Sequence, residues 1–172
     1  MPEELKIENR VAKSGLIQLE MAEFFPEEEI VEYDLAQNLW QGLALKEKDF
    51  REFIKTYNWD QFNNKHVAIH CSADAIIPSW AYMLLSTALL GKALSINYGT
   101  KNAVEQKLLI DSINEINAQE FLDSRIVIKG CGDRDVSESA WVAITNKLQP
   151  VVKSLMYGEP CSTVPVYKRP RK

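Results

Sequence analysis

Three cysteines are the residues of this 172-residue chain best suited to chemistry. Cys71 ends the run His66-Val67-Ala68-Ile69-His70 and precedes a polar turn, Ser72-Ala73-Asp74. Cys131 stands in Gly130-Cys131-Gly132, where residues without a Cβ let a ligand approach the backbone closely. Cys161 lies between two prolines in Pro160-Cys161-Ser162-Thr163-Val164-Pro165. If the three thiolates converge, they select zinc, copper(I) or an iron–sulfur cluster. Zinc wants a fourth ligand, for which His70, Asp74 and Asp133 are candidates. Three thiolates alone suit an iron–sulfur cluster with one open iron. Two rival readings stand beside this one. Free cysteine is among the most buried residue types and often acts as a small hydrophobe. Alternatively one thiol is a nucleophile, with His66 or His70 as its base. No CxxC pairs two thiols locally, and no GxGxxG, GxxxxGK[ST], HExxH or GxSxG is present.

The elements around these residues decide whether they can meet. Val67-Ala68-Ile69 has too little polar alternation for a one-faced sheet and reads as a strand buried on both sides. Pro78 then opens a very apolar helix to about Leu90. Arg125–Lys129 reads as a second such strand, followed by a helix from about Ser137, with Asp135 and Glu138 resembling a capping box. A strand is expected over Lys92–Gly99 and an amphipathic helix over Thr100–Ala118. The last helix should reach Tyr157, kinked or broken at Pro150. Phe50, Phe53, Ile54 and Tyr57 form one apolar stripe and predict a helix over 46–57. Trp59 and Phe62 are read as core aromatics.

The order β-α-β-α-β-α from residue 65 argues for a parallel sheet with right-handed crossovers. The expected class is α/β: a three-layer core over 65–157, with an antiparallel hairpin (15–36) at the sheet edge. That hairpin comes from two alternating runs, Leu16–Met21 and Ile30–Leu35. The tail, 158–172, is expected to be irregular because of its prolines. If the His66–His70 strand lies between the other two, Cys71 and Cys131 leave adjacent strands at a topological switch point. The whole chain reads as a single domain, with no internal repeat and no low-complexity linker.

Composition narrows the function classes. At 46% hydrophobic the chain can bury a full core. A net charge of −4 argues against an electrostatic grip on nucleic acid. The apolar run from Ala75 to Leu90 is shorter than the roughly 20 residues of a membrane span. No secretory signal is evident, so a cytoplasmic location with reduced cysteines is expected. A second copy of the chain is one candidate cover for the apolar helix, which would make a homodimer.

The blocks Val67–Pro78, Lys129-Gly130-Cys131 and Tyr157–Pro165 resemble an uncharacterised bacterial family, domain-of-unknown-function family 2480, over essentially the whole chain. The resemblance carries no activity. It implies genes often adjacent to the Suf iron–sulfur assembly machinery, hence iron–sulfur assembly proteins as partners. Its matching positions are Cys71, Cys131 and Cys161. The expected function is metal or cluster binding through these thiols, in iron–sulfur assembly or sulfur handling. The alternatives are a thiol-dependent enzyme such as a sulfurtransferase and a non-catalytic interaction module.

Overall fold

The computed structural model describes residues 15–130, 132–159 and 162–170. Two units emerge: a nested one, Pro26–Lys107, and a split one, built from residues 15–25 and 108–170. Seven strands and four α-helices are found among the described residues, and both sheets are mostly parallel, as in an α/β chain.

The nested unit holds β2 (Ile30–Asp34), α1 (Glu47–Thr56), β3 (His66–His70), α2 (Ser79–Leu89) and β4 (Ser95–Tyr98). Its sheet has the order β2-β3-β4, all parallel, with Asp34 opposite His70 and Ile69 opposite Tyr98. The central strand is buried at Val67, Ala68 and Ile69, as a sheet covered on both faces requires. Phe50 of α1 is buried, and Trp59 and Phe62 join Tyr33 in one aromatic cluster.

The split unit holds β1 (Leu16–Glu20), α3 (Lys101–Glu115, which starts in the nested unit), β5 (Arg125–Lys129), α4 (Glu138–Leu148), β6 (Ser154–Glu159) and β7 (Ser162–Lys168). Its sheet order is β1-β5-β6-β7, parallel except for the last pair. Leu109, Ile113, Ile126, Ile144 and Leu155 fill its core. Ser137 Oγ, rather than Asp135, accepts the capping hydrogen bond from Ala140 N–H at 3.4 Å.

Several expectations are corrected. The two N-terminal strands form no hairpin, since β1 pairs parallel with β5 and β2 parallel with β3. Alternation showed that each has one buried face, but it carries no information about the neighbouring strand. Arg125–Lys129 does not flank His66–His70; each is an inner strand of its own sheet. The last helix stops at Leu148, ahead of Pro150, and the chain then re-enters the sheet as β6. In the tail, residues 158–159 and 162–168 are strand, not irregular chain. Pro165 is tolerated there because β7 is an edge strand.

The units also run the same course, which corrects the expectation of no internal repeat. In each, a first strand and a 3-10 turn precede a helix, a second 3-10 turn, a central strand, a helix and a third strand. Asn58 and Asn117 cap the turns Trp59–Phe62 and Ala118–Phe121 by accepting the N–H two residues ahead. Asn64 and Asp123 both take left-handed φ, 59° and 56°. Ala81, Leu85 and Leu89 are fully buried on α2, as are Ala140, Ile144 and Leu148 on α4. Gly99, just past β4, and Gly158, next to last in β6, both take positive φ. The members of each of these pairs, from Asn58 and Asn117 to Gly99 and Gly158, stand 59 positions apart in the sequence.

Candidate functional site

Open parallel sheets place ligands beyond the C-terminal ends of their strands. In the nested unit that end carries Asp34, His70, Cys71 and Tyr98. The Asp34 carboxylate accepts from Ser72 N–H at 3.0 Å, Ser72 Oγ–H at 2.5 Å and Ala36 N–H at 2.9 Å. Burial works to raise its pKa. The hydrogen bonds from Ser72 and Ala36, with the charge of His70, outweigh that and hold it below the usual carboxylate value. Asp34 thereby pins the turn that follows Cys71.

His70 Nε2 lies 3.9 Å from Glu32 Oε1, and the same oxygen accepts Lys101 N–H at 2.8 Å at the start of α3. An acceptor is favourable there because the first N–H groups of a helix lack intrahelical partners. Cys71 follows His70 and, by strand alternation, faces the other way. It is half-buried against the nested core, and its thiol donates to Ala73 O at 3.7 Å. Tyr82 and Tyr98 meet edge to face at 5.6 Å. Burial, then Tyr98, then Cys71 push the Tyr82 hydroxyl pKa up. His66 is occupied structurally, with Nδ1 2.8 Å from Ser95 Oγ.

The split unit repeats this corner with other residues. Glu20, Lys129 and Glu159 are the last residues of β1, β5 and β6. Lys129 Nζ donates to Glu20 Oε1 at 2.9 Å and lies 3.4 Å from Glu159 Oε2. The hydrogen bond to Glu20 raises the Lys129 pKa; burial opposes this, and Glu159 adds to the rise. Gly130 follows, packed so closely that a Cβ there would lie 2.6 Å from Trp141 Cη2. Trp141 meets Tyr157 edge to face at 5.3 Å, and the two rings help line an apolar cleft of about 340 Å³. Tyr82 and Tyr98 are the repeat partners of Trp141 and Tyr157, so both corners are built around one aromatic pair.

Of the expected site residues, Cys71 and His70 share the nested corner, and Asp74 is exposed in the bend just beyond it. Asp133 is exposed in the split unit. Cys131 and Cys161 lie outside the described residues. Among the described residues no group of three His, Cys, Asp or Glu side chains is placed to hold a metal. The sequence reading missed Asp34, Ser72, Lys129 and both aromatic pairs. The signal available was the recurrence of Tyr98-Gly99 as Tyr157-Gly158, in step with Asn58 and Asn117.

The family described as "Protein of unknown function (DUF2480)" matches residues 5–169. No curated protein and no solved structure matches the chain. No helix among the described residues is long and apolar enough to cross a membrane.

Proposed function

The chain belongs to the DUF2480 family of proteins of unknown function, and from that premise we propose that it binds a thiophilic metal ion or an iron–sulfur cluster through its cysteines, as an accessory to iron–sulfur assembly or sulfur handling. One observation supports this most. β5 and β6 are adjacent parallel strands, with Ile128 opposite Tyr157, so both strands finish at the same end of the sheet. Cys131 comes two residues after Lys129, and Cys161 two residues after Glu159. Thiolates are the ligands that soft metals and clusters prefer. Cys71 is the sequence's candidate for a third thiolate, with His70, Asp74 and Asp133 as further ligands if the metal is zinc. Iron–sulfur assembly proteins are the proposed partners.

The test is visible absorption and elemental analysis of the whole chain, purified without oxygen and then reconstituted with iron and sulfide, or with zinc. Cys131→Ala and Cys161→Ala should each abolish metal retention. Cys71→Ala should do the same if it supplies the third thiolate. Undiminished stoichiometry in Cys131→Ala and Cys161→Ala would overturn the proposal, as would a native chain that retains no metal under either condition.

A further inference from the structure

A second site is carried by the opposite end of the split unit's sheet. Strands β5 and β6 start there at Arg125 and Ser154, and β7 ends there at Lys168. These ends frame a cleft of about 540 Å³ whose walls include Arg125, Lys153, Lys168 and Arg169, with Tyr167 and Met156 as apolar surface. Among the described residues no acidic side chain lines it, although the chain as a whole carries a net charge of −4. Arg169 is committed to the fold: its guanidinium bonds Asp123 and Val151 O. Arg125, Lys153 and Lys168 have no side-chain partner among the described residues.

The fold does not need those charges. In the nested repeat, the positions of Arg125 and Lys153 are taken by His66 and Leu94. His66 is bonded to Ser95 and lies 3.7 Å from Glu28. The same scaffold thus tolerates an edge without Arg or Lys at these two positions, and among the described residues no acidic side chain pairs with Arg125, Lys153 or Lys168 around the cleft. The rim is preformed as well. Lys153 N–H donates to Ser124 O at 2.7 Å, and Arg169 N–H to Lys153 O at 3.0 Å. Such pinning reduces the ordering cost of binding. The volume lies in the range of small-molecule sites.

We propose that this cleft binds a small phosphate ester with a flat apolar body. Lys153, Lys168 and Arg125 take the phosphate oxygens in charge-assisted hydrogen bonds. Tyr167 and Met156 cover the apolar part. The cleft lies at the N-terminal ends of β5 and β6 and none of its lining residues is a cysteine, so it stands independently of the metal reading.

Calorimetric titration of the whole chain with phenyl phosphate, with inorganic phosphate beside it, tests this. Phenyl phosphate should bind more tightly than inorganic phosphate and weaken as salt is raised. Lys153→Ala and Lys168→Ala should each weaken binding about tenfold. Lys55→Ala, on an exposed face of α1, should leave it unchanged. These lysines are exposed, so thermal unfolding should stay near native and loss of binding will not reflect misfolding. Absence of phenyl phosphate binding overturns the proposal. So does equal binding by the Lys153→Ala, Lys168→Ala double variant, or affinity for a single-stranded oligonucleotide alone.

Discussion

Replacing Gly130 by alanine tests the packing of the split corner and its kinship to the nested one. The added Cβ would lie 2.6 Å from Trp141 Cη2 and 2.8 Å from Cζ2, against an ordinary carbon contact of about 3.5 Å. The indole must therefore retreat by about 1 Å, which disturbs its edge-to-face contact with Tyr157. Overpacking of this kind costs about 1–3 kcal/mol, and an aromatic pair contributes about 0.5–1.5 kcal/mol beyond its buried area. A total near 2 kcal/mol lowers Tm by about 4–8 °C for a chain of this length. The repeat supplies the control. The residue equivalent to Gly130 is Cys71, which has a Cβ, and the ring equivalent to Trp141 is the smaller Tyr82. Trp141→Tyr should therefore make room for Gly130→Ala, and the double variant should be more stable than the sum of the single changes by about 1 kcal/mol. Thermal unfolding followed by circular dichroism on the four proteins measures this. A Gly130→Ala variant within about one degree of native, or strict additivity in the cycle, would refute the reasoning.

Other outcomes follow from the two corners. The Lys129 pKa is raised in the folded state, so its contribution is complete below its unfolded value of about 10.4 and is lost as pH rises through the folded value. Lys129→Met should thus be less stable than native at neutral pH, and the gap should narrow in urea melts at pH 11. Asp34 shifts the other way: its contribution is present above its unfolded value of about 3.9 and lost as pH falls through the folded one. Asp34→Ala should cost about 1 kcal/mol at pH 7, the typical value of a capping side chain, and its acid denaturation curve should be flatter than native below pH 4. In Ser137→Ala the loss of the α4 cap should cost about 1 kcal/mol, read by the same melts.

Much of the local structure was legible from residue order. The apolar runs at Val67–Ile69 and Ile126–Ile128 marked central strands, because full burial on two faces leaves no polar alternation. The stripe Phe50, Phe53, Ile54 and Tyr57 marked α1, whereas Pro150, expected to kink or break a helix reaching Tyr157, is preceded by the end of α4 at Leu148. Ser154–Tyr157, expected as the end of the last helix, is strand, and β7 (Ser162–Lys168) was expected to be irregular because of prolines that argue against a strand only where it is paired on both sides. On an edge, Pro165 costs no ladder hydrogen bond.

What the sequence determined by itself was therefore which segments up to α4 are strand or helix and where two thiols fall relative to them: Cys71 just past one buried strand, Cys131 just past another. Both are local properties, set by side-chain periodicity and backbone propensity. Only the tertiary structure decided which strands are neighbours. It set β1 beside β5 across more than a hundred residues of chain and β2 beside β3. It thereby assigned the two cysteine-bearing central strands to separate sheets, and it disclosed the repeat that relates them. Pairing is decided by non-local burial and register, to which an alternating strand contributes only the choice of its inward face.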